Sequence, residues 1–179
     1  MEFKDKIYFS KGKRSIVYLA EYNGKKVIIK YSKRAEIESY WLNFLKNLDF
    51  VPKLIYHDEE QLVYYFIDGI TIGEYIEKTK NPQPILKQIL KQCYELDKLK
   101  VNKLELVNPY KHILIKNKKA RMIDFERCKR TEKPKNVTQF VEYLMRKNII
   151  SREDIKPLLK NYKKSQTRSN FGKILKLFS

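Results

Sequence analysis

The hydrophobic pattern begins as short β-rich runs and changes to helical spacing. Residues 18–20 and 27–30 flank Asn23-Gly24, a dipeptide that supplies the positive φ angles of a two-residue hairpin turn. Apolar residues then fall at Ile37, Tyr40, Trp41, Phe44, Leu45 and Leu48, the spacing of one helical face, which predicts a helix over 36–48. Val51-Pro52 ends it. Residues 54–56 and 61–67, parted by the acidic turn Asp58-Glu59-Glu60, read as a further strand pair. The first part of the chain is therefore expected to be antiparallel sheet plus one helix.

Helical patterns dominate after Asp68-Gly69. A short one covers 74–78, and a longer one runs from Ile85 towards Leu99 after the break at Asn81-Pro82-Gln83-Pro84. Residues 113–116 and 121–123, separated by Asn117-Lys118-Lys119, read as a small hairpin ending at Asp124. Two helices are expected to close the chain, one over 138–147 and one capped by Ser151, with Pro157 as a candidate kink.

Composition agrees with a folded globule: 179 residues, 42% of them hydrophobic, with thirteen Tyr and nine Phe. Cys93 and Cys128 share no close spacing, so a disulfide framework or zinc site is not expected and a reducing, cytoplasmic setting fits. No signal peptide or membrane span is expected from the apolar runs. Charge alters the picture more. Residues 1–100 carry 18 basic and 14 acidic side chains, and the remainder carry 21 and 7. Such asymmetry fits either an RNA or acidic-protein surface on the C-terminal half or an ordinary Lys-rich solvated surface. Lys129, Arg130, Lys133 and Lys135 follow Asp124, and Lys156, Lys160, Lys163, Lys164, Arg168, Lys173 and Lys176 continue the basic character.

Candidate chemistry starts at Ser10-Lys11-Gly12-Lys13-Arg14-Ser15-Ile16-Val17, where small residues Ser10, Gly12 and Ser15 would let backbone amides approach phosphate oxygens. Lys30 closes the run Val27-Ile28-Ile29-Lys30. Taken alone it reads as a solvated strand-end lysine, but it can also hold a phosphate. Glu38, three before Trp41, sits beside the predicted buried helix face and can pair with Lys30, with Glu36 as the competing choice.

In this order the parts resemble the protein-kinase-like superfamily, and Met122-Ile123-Asp124-Phe125-Glu126-Arg127 resembles its metal-binding Asp-Phe-Gly segment. With glutamate in place of the glycine, the setting is similar to small archaeal predicted Ser/Thr kinases, related to RIO kinases and the KEOPS-complex kinase. The resemblance covers residues 7–145. It implies a bilobal α+β fold, with an antiparallel-sheet N-lobe at 1–67 and a reduced, basic helical C-lobe at 68–179. It also implies ATP and Mg²⁺ as ligands: a phosphate loop at Ser10, Gly12, Ser15 and Val17, adenine against the backbone of Tyr65, Phe66 and Ile67, and a Lys30–Glu38 pair with Asp124 on the metal.

The family's catalytic loop is altered. Its metal-binding asparagine position is taken by His112, and Val107 falls where the proton-accepting aspartate belongs. A loop longer by two residues would instead bring Glu105 to that position as a general base. Asn108 and Lys111 are further polar candidates. The implied activity is Mg-dependent phosphoryl transfer from ATP to Ser/Thr or to the chain itself. The alternative is a pseudokinase that senses nucleotide and binds RNA or protein.

Overall fold

The computed structural model describes residues 1–178 as a mixed α+β protein that divides into two compact units. Met1–Asp68 and Arg121–Glu126 form the first; Gly69–Ala120 and Arg127–Ser179 form the second. Among the described residues no helix is long and apolar enough to cross a membrane.

The first unit is a five-stranded antiparallel sheet, ordered β1-β2-β3-β5-β4, with one helix. Its strands are β1 (Lys4–Lys11), β2 (Ser15–Tyr22), β3 (Lys25–Ser32), β4 (Leu54–His57) and β5 (Gln61–Tyr65). Asn23 and Gly24 have φ of 49° and 71°, and the hairpin they close keeps an unbroken register from Tyr22↔Lys25 to Ser15↔Ser32. Strand alternation then sorts the side chains. Val27 and Ile29 join Ala20 and Val63 in a buried cluster covered by Tyr18, Tyr22 and Tyr31. Lys30 points to the other face and is nonetheless buried.

Helix α1 (Ala35–Phe44) is shorter than the hydrophobic spacing predicts, and its buried face is rotated from the expected one. Ala35, Glu38, Ser39, Trp41 and Leu42 are buried, whereas Ile37, Tyr40 and Phe44 are 47%, 53% and 38% exposed. The rotation turns Glu38 inward, where an ammonium awaits it, and turns an aromatic edge outward. β1 was not anticipated at all. It is exposed along its whole length and exists through its pairing with β2.

In the second unit, β6 (Ile70–Thr71) leads into α2 (Ile72–Lys78), which starts with a reciprocal capping box between Thr71 and Glu74. α3 (Gln83–Lys98) tolerates Pro84 because it lies in the first turn, where no intrahelical donor is needed. β7 (Val101–Lys103) is followed by two 3-10 turns, Leu104–Val107 and Pro109–Lys111. β8 (Ile113–Lys116) and β9 (Lys119–Met122, its last two residues counted with the first unit) form the expected hairpin, with β9 starting at Lys119 rather than Arg121 and the turn made by Asn117 and Lys118 with φ of 49° and 58°. β10 (Cys128–Arg130) pairs with β7.

Among the described residues three helices close the chain, not two: α4 (Asn136–Arg146), α5 (Arg152–Lys164) and α6 (Arg168–Lys176). Ser151 caps α5 as expected, and the helix continues through Pro157. Thr167 caps α6, which buries Phe171 and Ile174. One buried carboxylate ties this unit together. Asp97, in the last turn of α3, accepts hydrogen bonds from the Asn136 amide at 2.9 Å, Asn136 Nδ2 at 2.7 Å, the Val137 amide at 3.3 Å and the Tyr162 hydroxyl at 2.8 Å. It thereby caps the start of α4 and anchors α5.

Candidate functional site

Strand β3 ends its buried stretch at Lys30, opposite Val17 on β2 and Leu62 on β5. The Lys30 ammonium lies 2.7 Å from Glu38 Oε2 and 2.9 Å from Asp124 Oδ1. Glu38, rather than Glu36, makes the pair. Its second oxygen accepts the Phe125 amide at 3.2 Å, so one carboxylate clamps both the strand lysine and the backbone beside Asp124. All four residues belong to the first unit.

Burial is graded across this cluster. Glu38 is 1% exposed at its side chain and Lys30 7%, while Asp124 is 29% exposed. Desolvation alone would lower the Lys30 pKa, but attraction to Glu38, then to Tyr64 and Asp124, outweighs it and raises the pKa, so the ammonium stays protonated. For Glu38 burial is the largest influence and pushes the carboxyl up, with Lys30 pulling the other way. The neighbouring Tyr64 phenol, also buried, is pushed up for the same reason.

Asp124 holds φ of +63°, a left-handed conformation that a residue with a Cβ adopts at a cost, and Asp tolerates it better than most. That turn directs its carboxylate back to Lys30 while Phe125 is buried completely. Glu126 follows, and carboxylate oxygens of Glu38, Asp124 and Glu126 lie within 4.8 Å of one another. Hard oxygen donors at such spacing suit a small divalent cation. Glu126 also faces the Arg14 guanidinium at 3.7 Å. Neither Arg14 nor the Phe125 amide was anticipated from sequence, though a second carboxylate two residues after Asp124 is a visible signal for Glu126.

The glycine-turn residues are placed less simply. Ser10 lies in exposed β1, Ser15 and Val17 open β2, and Gly12 makes the turn between them. The Gly12 amide donates to the Ser15 carbonyl at 2.8 Å, so this turn closes on itself and that amide is engaged. A Cβ at Gly12 would come within 3.1 Å of only one side chain, the movable Ser15 hydroxyl. Among the residues expected to meet an adenine, the Tyr65 and Phe66 amides donate to the Lys53 and Lys26 carbonyls, at 3.3 and 3.0 Å.

Glu105 is not placed as an accessible base. It sits in the second unit, 2% exposed, with Oε2 3.1 Å from the fully buried Lys103 ammonium and Oε1 3.8 Å from Arg127 Nε. An enclosed carboxylate held by an ammonium has no route to an incoming hydroxyl in this conformation. The sequence signal for this was Lys103 itself, two residues before. His112, partly exposed, ends a 3-10 turn by donating its amide to the Pro109 carbonyl at 2.8 Å. It is not among the carboxylates grouped around Asp124. Val107 and Lys111 are exposed near it in sequence, as is Asn108.

The basic side chains of the C-terminal half include Lys156, Lys160, Lys163 and Lys164, which line an open cavity of about 460 Å³ with Glu142 and Leu159. Lys163 is paired with Glu142 at 3.1 Å. No protein-family profile matches the chain, and no significant match exists among curated proteins.

Proposed function

We propose that this chain is a kinase-like nucleotide-binding protein that holds Mg-ATP at Lys30, Glu38, Asp124 and Glu126 and transfers the γ-phosphoryl group to a hydroxyl. The observation that carries this reading is the placement of the Lys30 ammonium between Glu38 and Asp124, residues 8 and 94 positions away, inside one unit. An antiparallel sheet with one helix, followed by helix-rich chain, supplies the parts of a bilobal kinase-like fold, and that fold assignment belongs to the proposal.

Each residue has a physical task. Glu38 fixes the lysine's direction and keeps it charged, so Lys30 presents a positive charge to phosphate oxygens. Asp124, the most exposed of the three, and Glu126 offer the oxygens for magnesium, which would neutralise phosphate charge and orient the γ-phosphoryl group. In the transfer, the bond from the γ-phosphorus to the β-phosphate bridging oxygen breaks and a bond to the acceptor hydroxyl oxygen forms. The hydroxyl proton leaves to solvent or to phosphate oxygen, because Glu105 is enclosed.

That enclosure favours a second reading, nucleotide binding without transfer. The test is incubation with magnesium and γ-labelled ATP, with binding followed in parallel by calorimetry. Label transfer lost in Asp124→Ala but kept in Glu105→Gln supports the first reading. Magnesium-dependent ATP binding without transfer supports the second, and absence of ATP binding overturns both.

A further inference from the structure

We propose that the first unit carries a binding site for single-stranded RNA, formed by an open basic cavity at the Gly12 turn and a row of tyrosines leading from it. It holds whether or not the Lys30 site transfers a phosphoryl group.

The cavity measures about 1060 Å³ and is bounded by the turn between β1 and β2, the end of β3 and the start of α1. Lys11, Lys13, Arg14, Lys33 and Arg34 line it. Glu59 and Glu60 are the acidic residues of the wall, leaving three net positive charges. Among the described residues Arg14 alone of the five cations has a carboxylate partner, Glu126 at 3.7 Å. Five cations drawn from two separate segments repel one another around an open space, and an anion placed there relieves the repulsion. The space is larger than one phosphate group fills, which suits a chain of phosphates.

The second observation concerns rings. Tyr31 forms part of the cavity wall. Its ring meets Tyr18 edge-on at 5.9 Å, and Tyr18 meets Tyr8 edge-on at 6.3 Å, so the row crosses β3, β2 and β1. Lys6 places its ammonium 4.5 Å from the Tyr18 ring centre and 4.8 Å from that of Tyr31. Tyr8, at the outer end, is 62% exposed and offers a ring to a base. Cations that track a backbone next to rings that accept bases are the two elements of single-strand recognition. An acidic peptide would use the cations and leave the rings idle, and a duplex would keep its bases stacked away from them.

The test uses the full chain and a fluorescein-labelled oligouridylate, with anisotropy read across a salt series. Engagement of five cations predicts a slope of log affinity on log salt of about −3.5. Lys13→Ala combined with Lys33→Ala brings the slope to about −2, since each single-strand phosphate contact contributes about −0.7. Tyr8→Ala weakens binding about tenfold with the slope unchanged, and Tyr8→Phe, which keeps the ring, restores it. The charge-matched pair Lys156→Ala and Lys160→Ala in the second unit leaves binding as it was. The proposal is overturned by absence of binding at 50 mM salt, by a larger loss in the second-unit pair than in the cavity pair, or by loss of binding in Tyr8→Phe equal to that in Tyr8→Ala. It is equally overturned if a polyglutamate peptide of matched charge displaces the RNA at equal concentration.

Discussion

Two buried clusters, around Asp97 in the second unit and around Lys30 in the first, are built on opposite plans. In the second unit Asp97 meets four donors and no cation, and its partners Asn136 and Tyr162 are wholly buried. In the first unit Lys30 faces Glu38 and Asp124, so the trio carries one excess negative charge, and its outermost member is 29% exposed on a left-handed backbone. A closed cluster with every donor aimed at one anion holds helices together. A cluster with excess charge, backbone strain and one solvent-facing carboxylate is arranged for a ligand, because each of those features costs stability in the ligand-free protein.

The largest expected effect tests the closed cluster. Asp97→Ala takes the acceptor from the Asn136 and Val137 amides and the Tyr162 hydroxyl, leaves Asn136 Nδ2 only the Val101 carbonyl, and should lower stability by about 4 kcal/mol, measured by urea unfolding. A loss below about 1 kcal/mol would place Asp97 outside the architecture and erase the contrast.

Lys30→Met comes next. Without the ammonium, Glu38 remains buried, and its already raised carboxyl pKa moves further up. A carboxyl whose folded pKa exceeds its unfolded value binds its proton more tightly in the native state. The native state therefore gains stability as pH falls through the folded pKa and loses it above. The variant should be about 3 kcal/mol less stable than the parent at pH 8, with the gap narrowing towards pH 5. A gap constant across that range would mean that Glu38 is not the group left uncompensated.

Asp124→Ala should change stability by less than about 1 kcal/mol, since the Lys30–Glu38 pair survives and repulsion between Asp124 and Glu38 is relieved. The same variant should lose magnesium-dependent ATP binding. A destabilisation equal to that of Asp97→Ala would make Asp124 a structural residue, and the two clusters would no longer differ in kind.

The sequence shows some of this contrast and hides the rest, for reasons that follow from range. Asn23-Gly24 and Asn117-Lys118 announce their turns because positive φ is a local requirement. Lys30 and Glu38 can be paired from sequence because Glu38 falls beside the apolar face of the helix that follows the strand, although the burial of Lys30 is not visible there. Asp124 is legible as the residue that follows a hairpin. By contrast, the partners of Asp97 lie 39 to 65 residues away, and no local period links them. Glu105 has the right chemistry for a base, and only the buried Lys103 beside it shows that the carboxylate is occupied. β7 and β10 are three residues each, too short for alternation to register. The buried face of α1 is not legible from its spacing, because Ile37, Tyr40 and Phe44 repeat with helical period yet point outward, leaving Glu38 on the buried side.

The smallest expected effect separates hydrogen bonding from burial as the cause of carboxylate behaviour. Asp58, in the turn between β4 and β5, also accepts from four donors: the Tyr56 hydroxyl, the Glu60 and Gln61 amides, and the Gln61 side chain, at 2.9 to 3.0 Å. Asp97 has the same number, but burial pushes its carboxyl up, whereas the Gln61 side chain and its companions hold Asp58 down at about 2. Carboxyl titration by NMR should therefore find Asp97 above the usual 3.8 and Asp58 near 2. The stability consequences have opposite signs. The contribution of Asp58 is complete above its unfolded pKa and fades as pH falls towards 2, while the native state is increasingly favoured at Asp97 as its carboxyl protonates. Asp58→Asn should flatten the acid limb of the stability curve only below pH 4, and only slightly, because an exposed turn is well screened. Coincident titration of the two carboxyls would show that donor count rather than dielectric sets them, and would weaken the inference that burial raises Glu38.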